Sequence, residues 1–358
     1  MRKMTQVLDQ ADKLERELVL LTEKIAHILQ KPASSRDPRL LADTWAEMTH
    51  SRPEMKAIGR SLRKIKKPVR KGLKRSEYLA QRNLFERARS FIRRLREWDE
   101  MDCIVQRHLD PEKKPLLPTS PVTGHDAMLT QIYTALHRLA NPVPQDQLAV
   151  DRGCFADIAL PIQNFDLLMS ATYRICLAQN PHRVLRFLDV GCGGGTKVFA
   201  ATRFFRQADG LDYDQGYVNA ARRTLQIIGA SGSKIFHADA TTFDAYSNYE
   251  VIYFYRPLQT DALLEAMEQH IIGQARPGTI LVAPYDSSFS TRAGMSCAQV
   301  EGPIFVTGID QAGADQLRID AEATSTEIMS RSADRVFDAG YWAPILDAAS
   351  FNGVRQCD

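Results

Sequence analysis

The chain has 358 residues, of which 44% are hydrophobic and 25% are charged, an ordinary balance for a folded protein of two or three domains. No apolar run approaches the roughly 18 residues that a membrane-spanning helix requires, and the first residues lack the apolar core of a signal peptide. The six cysteines are scattered without a Cys-x-x-Cys pair, which argues against a disulfide framework or a zinc site and favours a reducing, cytoplasmic setting.

The net charge of +3 hides a strong asymmetry along the chain. Residues 51–96 contain 17 Lys and Arg residues against 3 acids, a local net charge of +14 that leaves about −11 for the remainder. One segment therefore carries the whole basic character of the protein.

Two segments near the start of the chain are predicted to be helical. In the first, apolar residues recur with the strict 4-3 spacing of a coiled-coil seam, at Val7, Ala11, Leu14, Leu18, Leu21, Ile25 and Ile28. The second runs from about residue 76 to 109 and repeats the spacing at Leu84, Ala88, Phe91, Leu95 and Trp98. We expect a helical, coiled-coil module over residues 1–109, whose two stripes bury each other within one chain or across a homodimer.

The basic segment 51–96 within this module allows three interpretations. It is a solvated face without a partner, a nucleic-acid surface whose Lys and Arg side chains neutralise phosphates, or a surface for an anionic membrane. The membrane alternative rests on an apolar stripe at Leu62, Ile65, Val69 and Leu73. Pro68 and Gly72 argue against one uninterrupted helix there.

The middle of the chain predicts a boundary between domains. Four prolines between positions 111 and 121 indicate a stiff linker at about 110–124. Helices are expected at about 125–139 and 162–179. We expect the second domain to extend from 125 to 358.

An apolar strand ending at Val190 is followed by a turn with glycines at 191, 193 and 195. Glycine takes positive φ freely, and its missing Cβ lets a ligand lie against the backbone. A dinucleotide-binding fingerprint needs its third glycine at position 196, which is Thr here. A nicotinamide-dependent oxidoreductase is therefore disfavoured.

The order acid-x-Gly-x-Gly-x-Gly at 189–195 resembles the first motif of class I S-adenosylmethionine-dependent methyltransferases. The resemblance implies a Rossmann-like, doubly wound α/β sheet, here preceded by an all-helical module. It also implies that S-adenosyl-L-methionine is the cofactor and that Asp189, Gly191, Gly193 and Gly195 lie against it.

The next two predicted strands also end in acids. Asp212 lies 21 residues beyond Gly191, an interval that fits one βαβ step and would bring its carboxylate to the ribose hydroxyls. Tyr213 follows it and is expected along the adenine face. The third strand ends at Asp239 and Ala240, where the resembling family holds the adenine amino group.

A fourth strand over 250–255 leads to the predicted acceptor side of the site. Tyr255 and Arg256 are our candidate catalytic residues, because a base or an orienting cation next to the methyl group is what the transfer needs. The sequence here does not match the Asn/Asp-Pro-Pro-aromatic motif of many amino-directed nucleic-acid methyltransferases. The methyl acceptor therefore stays unidentified, and no metal cluster is visible.

The last part of the chain is harder to place. A fifth strand is predicted at 277–283, and residues 341–354 have the pattern of the final helix and the sixth strand. Residues 285–335 would then be an insertion, with one strand at 304–308, and the seventh strand stays unassigned.

These patterns together predict a methyltransferase that acts on an unidentified acceptor. The alternative is a non-catalytic scaffold that binds the cofactor and works through its basic helical module. The three strand-end acids favour the enzyme, because a scaffold does not need all of them.

Overall fold

The computed structural model of the chain describes residues 2–31, 35–70, 72–109, 114–118, 124–141, 144–158, 161–179, 185–230, 232–285, 289, 296–324 and 339–349. These residues form two compact units. The helical unit contains the described residues up to 109 together with 339–349, and the sheet unit contains those from 114 to 324. Most of the predicted linker 110–124 lies outside the described residues.

The described helices and strands alternate regularly only in the second half of the chain. The helices are α1 (Arg2–Leu29), α2 (Pro38–His50), α3 (Arg52–Leu62), α4 (Arg75–Arg96), α5 (Trp98–Leu109), α6 (Gly124–Ala140), α7 (Gln147–Arg152), α8 (Ile162–Gln179), α9 (Thr196–Ala201), α10 (Gln215–Ile227), α11 (Asp261–Gln274), α12 (Gln311–Glu322) and α13 (Ala343–Ala349). The strands are β1 (Arg186–Val190), β2 (Gln207–Asp212), β3 (Ile235–His237), β4 (Val251–Phe254), β5 (Ile280–Val282), β6 (Cys297–Glu301) and β7 (Ile304–Thr307). No helix in the described part of the chain is both long and apolar enough to cross a membrane.

The helical unit is built around α1, which packs against α2, α3, α4 and α13 of its own chain. Most of the predicted seam is buried, at Ala11, Leu14, Leu18, Ile25 and Ile28. A helix that packs against four neighbours buries a wider face than a two-stranded coiled coil does. The apolar stripe of α1 is therefore satisfied within one chain.

The predicted helix 76–109 is interrupted in the structure. Its first part, α4, ends at Arg96, and α5 begins at Trp98. Trp98 is fully buried, and its ring centroid lies 6.3 Å from that of Trp45 and 5.0 Å from that of Trp342. No proline or glycine marks this break in the sequence, so tertiary packing of the tryptophan overrides the local helical pattern.

The sheet unit contains a seven-stranded sheet in the order β3-β2-β1-β4-β5-β7-β6. The first five strands are parallel, while β7 is antiparallel to both β5 and β6. Helices cover both faces, because alternate strand residues such as Phe187 and Leu188 enter different apolar clusters. The predicted doubly wound α/β sheet, preceded by helices, is confirmed.

The end of the sheet differs from our expectation. Residues 297–307 form the β6–β7 hairpin, so the segment predicted as an insertion supplies both of the last strands. Residues 343–349 form α13, which packs along α1 in the helical unit and not on the sheet. The physical reason lies in Tyr341 and Trp342, which are buried among helical-unit aromatic rings. Residues 350–354, the expected sixth strand, lie outside the described residues.

Candidate functional site

A pocket opens at the carboxyl ends of the parallel strands in the sheet unit. The strand order reverses direction between β1 and β4, and a crevice at such a switch point is where open α/β sheets bind ligands. The pocket is lined by residues from four stretches, 152–158, 191–217, 238–240 and 255–258, together with Tyr285.

The glycine turn after β1 is packed so closely that side chains would not fit. Gly193 has a φ of +52°, and a Cβ placed on it would come within 2.0 Å of the Asp157 carboxyl carbon. The Asp157 carboxylate accepts a hydrogen bond from the Gly194 N–H at 2.8 Å and one from the Asn141 side chain at 2.7 Å. The turn and the segment before α8 thus form one wall of the pocket.

The Asp212 carboxylate lies at the end of β2, where two backbone N–H groups hold it. Its Oδ2 accepts from Gly193 at 2.8 Å, and its Oδ1 accepts from Asp214 at 2.9 Å. Burial raises the pKa of Asp212 to about 6, although these two hydrogen bonds oppose the rise. A carboxylate has about four acceptor positions, so each oxygen keeps one for a ligand.

The Asp189 carboxylate is buried more deeply, behind the pocket, with a relative exposure of 1%. Neither of its oxygens has a hydrogen-bond partner among the described residues. Burial raises the pKa of Asp189 to about 7, a rise that Lys197 opposes and that Asp157 and Asp212 increase. Lys197 also lines the pocket, so its positive charge acts both on Asp189 and on a ligand bound there.

The Asp239 carboxylate follows β3 and accepts three hydrogen bonds, two from Thr241 and one from Arg152. Its Oδ1 accepts from the backbone N–H of Thr241 at 2.8 Å and from the Thr241 hydroxyl at 2.7 Å. Its Oδ2 accepts from Arg152 Nε at 2.9 Å and lies 2.8 Å from Arg152 Nη2. Burial would raise the pKa of Asp239, but the contacts with Thr241 and Arg152 outweigh it, so the pKa is lowered.

Tyr255 and Arg256 lie together at the rim of the pocket, after β4. Arg256 has a φ of +40°, the one positive φ of a non-glycine residue in the described part of the chain. Such a conformation costs of order 1–3 kcal/mol and is concentrated at functional sites. The Arg256 guanidinium donates to the exposed carboxylate of Asp261 at 3.1 Å.

The structure brings seven of the ten predicted site residues to the pocket surface: Gly191, Asp212, Tyr213, Asp239, Ala240, Tyr255 and Arg256. The other three lie close behind it. Gly193 is covered by Asp157, the Cα of Gly195 faces Ala221, and Asp189 is buried beneath the turn.

Sequence reasoning missed several residues that line the pocket, above all Arg152, Asp157 and Lys197. Arg152 ends α7 and Asp157 lies in the irregular stretch that follows it, where the sequence has no periodicity to interpret. Lys197 lies in the first turn of α9, two residues after Gly195, and this position next to the glycine turn could have identified it as a pocket residue. Among the described residues, no group of three His, Cys, Asp or Glu side chains is arranged to hold a metal ion.

No protein-family model matches the chain, and no curated protein sequence does. Solved structures that resemble it include an amino pentose methyltransferase from Micromonospora echinaspora, with 22% identity, 36% of this chain and 58% of that one covered, and a TM-score of 0.29. Another is an RNA methyltransferase from Salinibacter ruber, with 20% identity, coverage of 42% and 91%, and a TM-score of 0.31.

A third is magnesium protoporphyrin IX methyltransferase from Synechocystis, with 14% identity, 53% of this chain and all of that one covered, and a TM-score of 0.34. The chain spans little more than half of the length of the amino pentose enzyme, at 58%. These solved structures are methyltransferases that act on different acceptors.

Proposed function

We propose that the protein is an S-adenosylmethionine-dependent methyltransferase whose cofactor binds in the pocket at the β1–β4 switch point. The observation that supports the proposal most strongly is the hydrogen bonding of the Asp212 carboxylate. Asp212 lines the pocket, and each of its oxygens accepts one backbone N–H and keeps one acceptor position for a ligand. Two vicinal ribose hydroxyls would complete it.

The residues around Asp212 fit the remaining parts of the cofactor. The apolar side chains Leu211, Ala238 and Leu258 line the pocket and offer a surface for a purine base. Asp157 and Lys197 also line it and carry opposite charges, as the ammonium and carboxylate of a methionine moiety require. Gly191, whose Cβ would lie 2.6 Å from Pro257, leaves no room there for any larger residue.

The acceptor would approach from the side of Tyr255 and Arg256. The cofactor supplies an electrophilic methyl group on a sulfonium, and alignment of the acceptor with it provides much of the rate. The positive φ of Arg256 sets the direction in which its side chain leaves the backbone at the pocket. Its guanidinium offers a positive charge to orient an anionic acceptor. Tyr255, half-buried beside it, offers a hydroxyl that can form a hydrogen bond with the methyl acceptor.

Calorimetry with S-adenosylhomocysteine and transfer of a radiolabelled methyl group to fractionated acceptor pools test this function. We expect Asp212→Ala to weaken binding by about 1.5–3 kcal/mol, because two charge-assisted hydrogen bonds are lost. Asp244→Ala, which changes an exposed acid of the same unit, is the matched control. Binding without any transfer would favour the scaffold alternative, and binding of NAD in its place would overturn the proposal.

A second proposal concerns the helical unit, which we infer binds the phosphate backbone of a nucleic acid. Twelve Lys and Arg residues of the segment 51–96 are exposed and form no ion pair in the described part of the chain: Lys56, Arg60, Arg63, Lys64, Lys66, Lys67, Arg70, Lys74, Arg75, Arg82, Arg89 and Arg96. The less exposed Arg87 and Arg94 are paired with Asp12 and Glu15. The Lys and Arg side chains that have no ion pair are therefore the ones that lie on the surface, where a phosphate backbone can reach them.

The apolar stripe expected at Leu62, Ile65, Val69 and Leu73 does not form the amphipathic helix that a membrane surface would favour. Leu62 is buried at the end of α3, and residues 65–70 have no helical structure. Val69 is 72% exposed, so it does not share the burial of Leu62. Because the apolar stripe is broken while the charges stay on the surface, phosphate contacts are favoured over insertion into lipid.

Filter binding of a 20-nucleotide single-stranded RNA to the full-length protein, and vesicle flotation, distinguish these partners. Changing Arg63, Lys64, Lys66 and Lys67 to Gln should weaken RNA binding and flatten its logarithmic salt dependence by roughly 0.7 for each lost contact. The matched control changes Arg16, Lys24, Lys31 and Arg39, which are exposed outside the segment. Binding to anionic vesicles alone, or equal losses in the two variants, would refute the proposal.

A further inference from the structure

Two large apolar side chains at the mouth of the pocket are open to solvent. Phe155 and Ile158 both line the pocket, and they are 40% and 55% exposed. Of the large hydrophobic residues that are exposed on the described part of the chain, these two alone line it. Exposed apolar side chains that occur together at a pocket indicate a surface that a ligand covers.

The backbone holds Phe155 beside the loop that follows β4. The Phe155 N–H donates to the Pro257 carbonyl at 2.9 Å, and the Gln259 N–H donates to the Gly153 carbonyl at 2.8 Å. The two segments therefore pair in antiparallel fashion, through an isolated bridge between them. Because Arg256 directly precedes this paired stretch, Phe155 lies on the side of the pocket from which the methyl acceptor would approach.

Tyr285 adds an aromatic ring to the same pocket. It follows β5, the strand next to β4. Its hydroxyl donates to the carboxylate of Glu268, which is fully buried on α11, and its ring centroid lies 6.0 Å from that of Phe254. Because the protein binds the hydroxyl, the part of Tyr285 that remains for a ligand is the apolar ring.

The charge next to these apolar groups is positive. Arg256 lines the pocket, and its Nη2 donates to the Asp261 carboxylate at 3.1 Å. The Asp261 side chain is 84% exposed, and an ion pair in such contact with water contributes little. A guanidinium has several N–H donors, and this bond uses one of them. The Nε of Arg256 has no hydrogen-bond partner in the described part of the chain, so donors remain for an anion.

We infer that this side of the pocket binds, as the methyl acceptor, a small molecule with a planar apolar body and one anionic group. The body packs against Phe155, Ile158 and Tyr285, because aromatic rings favour planar partners, and the anion pairs with Arg256. The inference rests on the proposed function of the pocket and names the chemical class of its acceptor. The nucleic acid proposed for the helical unit is then a partner of that unit and does not receive the methyl group.

Anilinonaphthalene sulfonate, a fluorescent dye with a planar apolar body and one anionic group, is the probe. It is titrated into the full-length protein saturated with S-adenosylhomocysteine, so that the cofactor already occupies its own part of the pocket. We expect Phe155→Ser and Ile158→Ser each to weaken dye binding roughly fivefold, because each removes part of the apolar contact. Both variants should bind S-adenosylhomocysteine normally by calorimetry. Leu148→Ser, at an exposed leucine that does not line the pocket, is the matched control and should bind the dye normally.

The uncharged analogue phenylnaphthylamine tests the contribution of Arg256. We expect Arg256→Gln to weaken binding of the sulfonate roughly tenfold, as for one lost charge-assisted hydrogen bond, and to leave the uncharged dye within about twofold. Equal losses for the two dyes would contradict the pairing of Arg256 with an anion.

The methyl-transfer assay gives a second readout, in which the radiolabel should appear in small molecules that an organic solvent extracts from the acidified reaction. Label recovered in RNA would overturn the inference. Unchanged dye binding in Phe155→Ser and Ile158→Ser would also overturn it, as would displacement of the dye by S-adenosylhomocysteine, since the exposed side chains would then belong to the cofactor's part of the pocket. No binding of S-adenosylhomocysteine to the wild-type protein would refute the proposed function itself.

Discussion

The buried Asp189 carboxylate accepts no hydrogen bond from any described residue, and its burial makes the stability of the unliganded protein depend on pH. Its pKa is about 7 in the fold against 3.8 in the unfolded chain, so the native state binds the proton more tightly between those values. The contribution of Asp189 to the free energy of unfolding should therefore be at its most favourable below about pH 4 and should decrease as the pH rises to about 7.

Asp189→Asn removes this dependence, because an amide stays neutral at every pH. We expect the variant to match the wild type near pH 4 and to be more stable at pH 8 by about 4 kcal/mol, because the pKa rises from 3.8 to about 7 and each pKa unit corresponds to about 1.4 kcal/mol. Urea unfolding of both proteins at several pH values measures the difference. Asp244→Asn, at an exposed acid, should leave the pH profile unchanged, and a parallel profile for Asp189→Asn would contradict the argument.

At the scale of elements, the glycine turn after β1 is fixed by a segment 36 residues before it. Gly193→Ala would introduce a Cβ 2.0 Å from the Asp157 carboxyl carbon, at a φ of +52°. Gly229→Ala shares the positive φ, at +77°, but meets no atom within 4 Å. We expect Gly229→Ala to cost only the left-handed strain of about 1–2 kcal/mol, and Gly193→Ala to cost roughly twice that.

The excess over strain should depend on the Asp157 side chain. In a protein that already carries Asp157→Ala, adding Gly193→Ala should cost no more than Gly229→Ala does, as measured by urea unfolding. If Gly193→Ala costs the same whether or not Asp157 is present, the two residues do not meet.

The elements around the site were predictable to different degrees. The runs that became β1 to β5 are apolar and end in turns, and the acids at 189, 212 and 239 lie at or just after the ends of the first three strands. Asp157 and Arg152 were not predictable, because their partners Gly194 and Asp239 lie 37 and 87 positions away. No local pattern encodes such pairs. Of the β6–β7 hairpin only β7 was predicted, as the strand at 304–308.

At the scale of the whole molecule, the helical unit depends on a segment that follows the sheet unit in the chain. Trp342 is fully buried, lies 5.0 Å from Trp98 between ring centroids, and donates its indole N–H to the Arg94 carbonyl at 2.9 Å. Trp342→Ala should destabilise the helical unit by about 3–5 kcal/mol, the usual cost of deleting a large buried aromatic. Asp347→Ala, exposed on α13, is the control.

Near-UV circular dichroism during urea unfolding measures this effect, because the clustered tryptophans dominate the signal. If Trp342→Ala lowers the free energy of unfolding by less than about 1 kcal/mol, the helical unit does not depend on this tryptophan and the prediction is wrong.

The discontinuity of the helical unit also has a consequence for synthesis. The described part of the sheet unit, residues 114–324, is continuous in the chain, so its folding can begin once residue 324 has left the ribosome. Helices α1 to α5 emerge much earlier, yet the face of α1 that contacts α13 stays uncovered until residue 349 has followed. Throughout that interval a nascent apolar surface is open to chaperones and to neighbouring chains. The helical unit, whose first helices are synthesised before the sheet unit, can therefore finish folding only after the sheet unit has been synthesised.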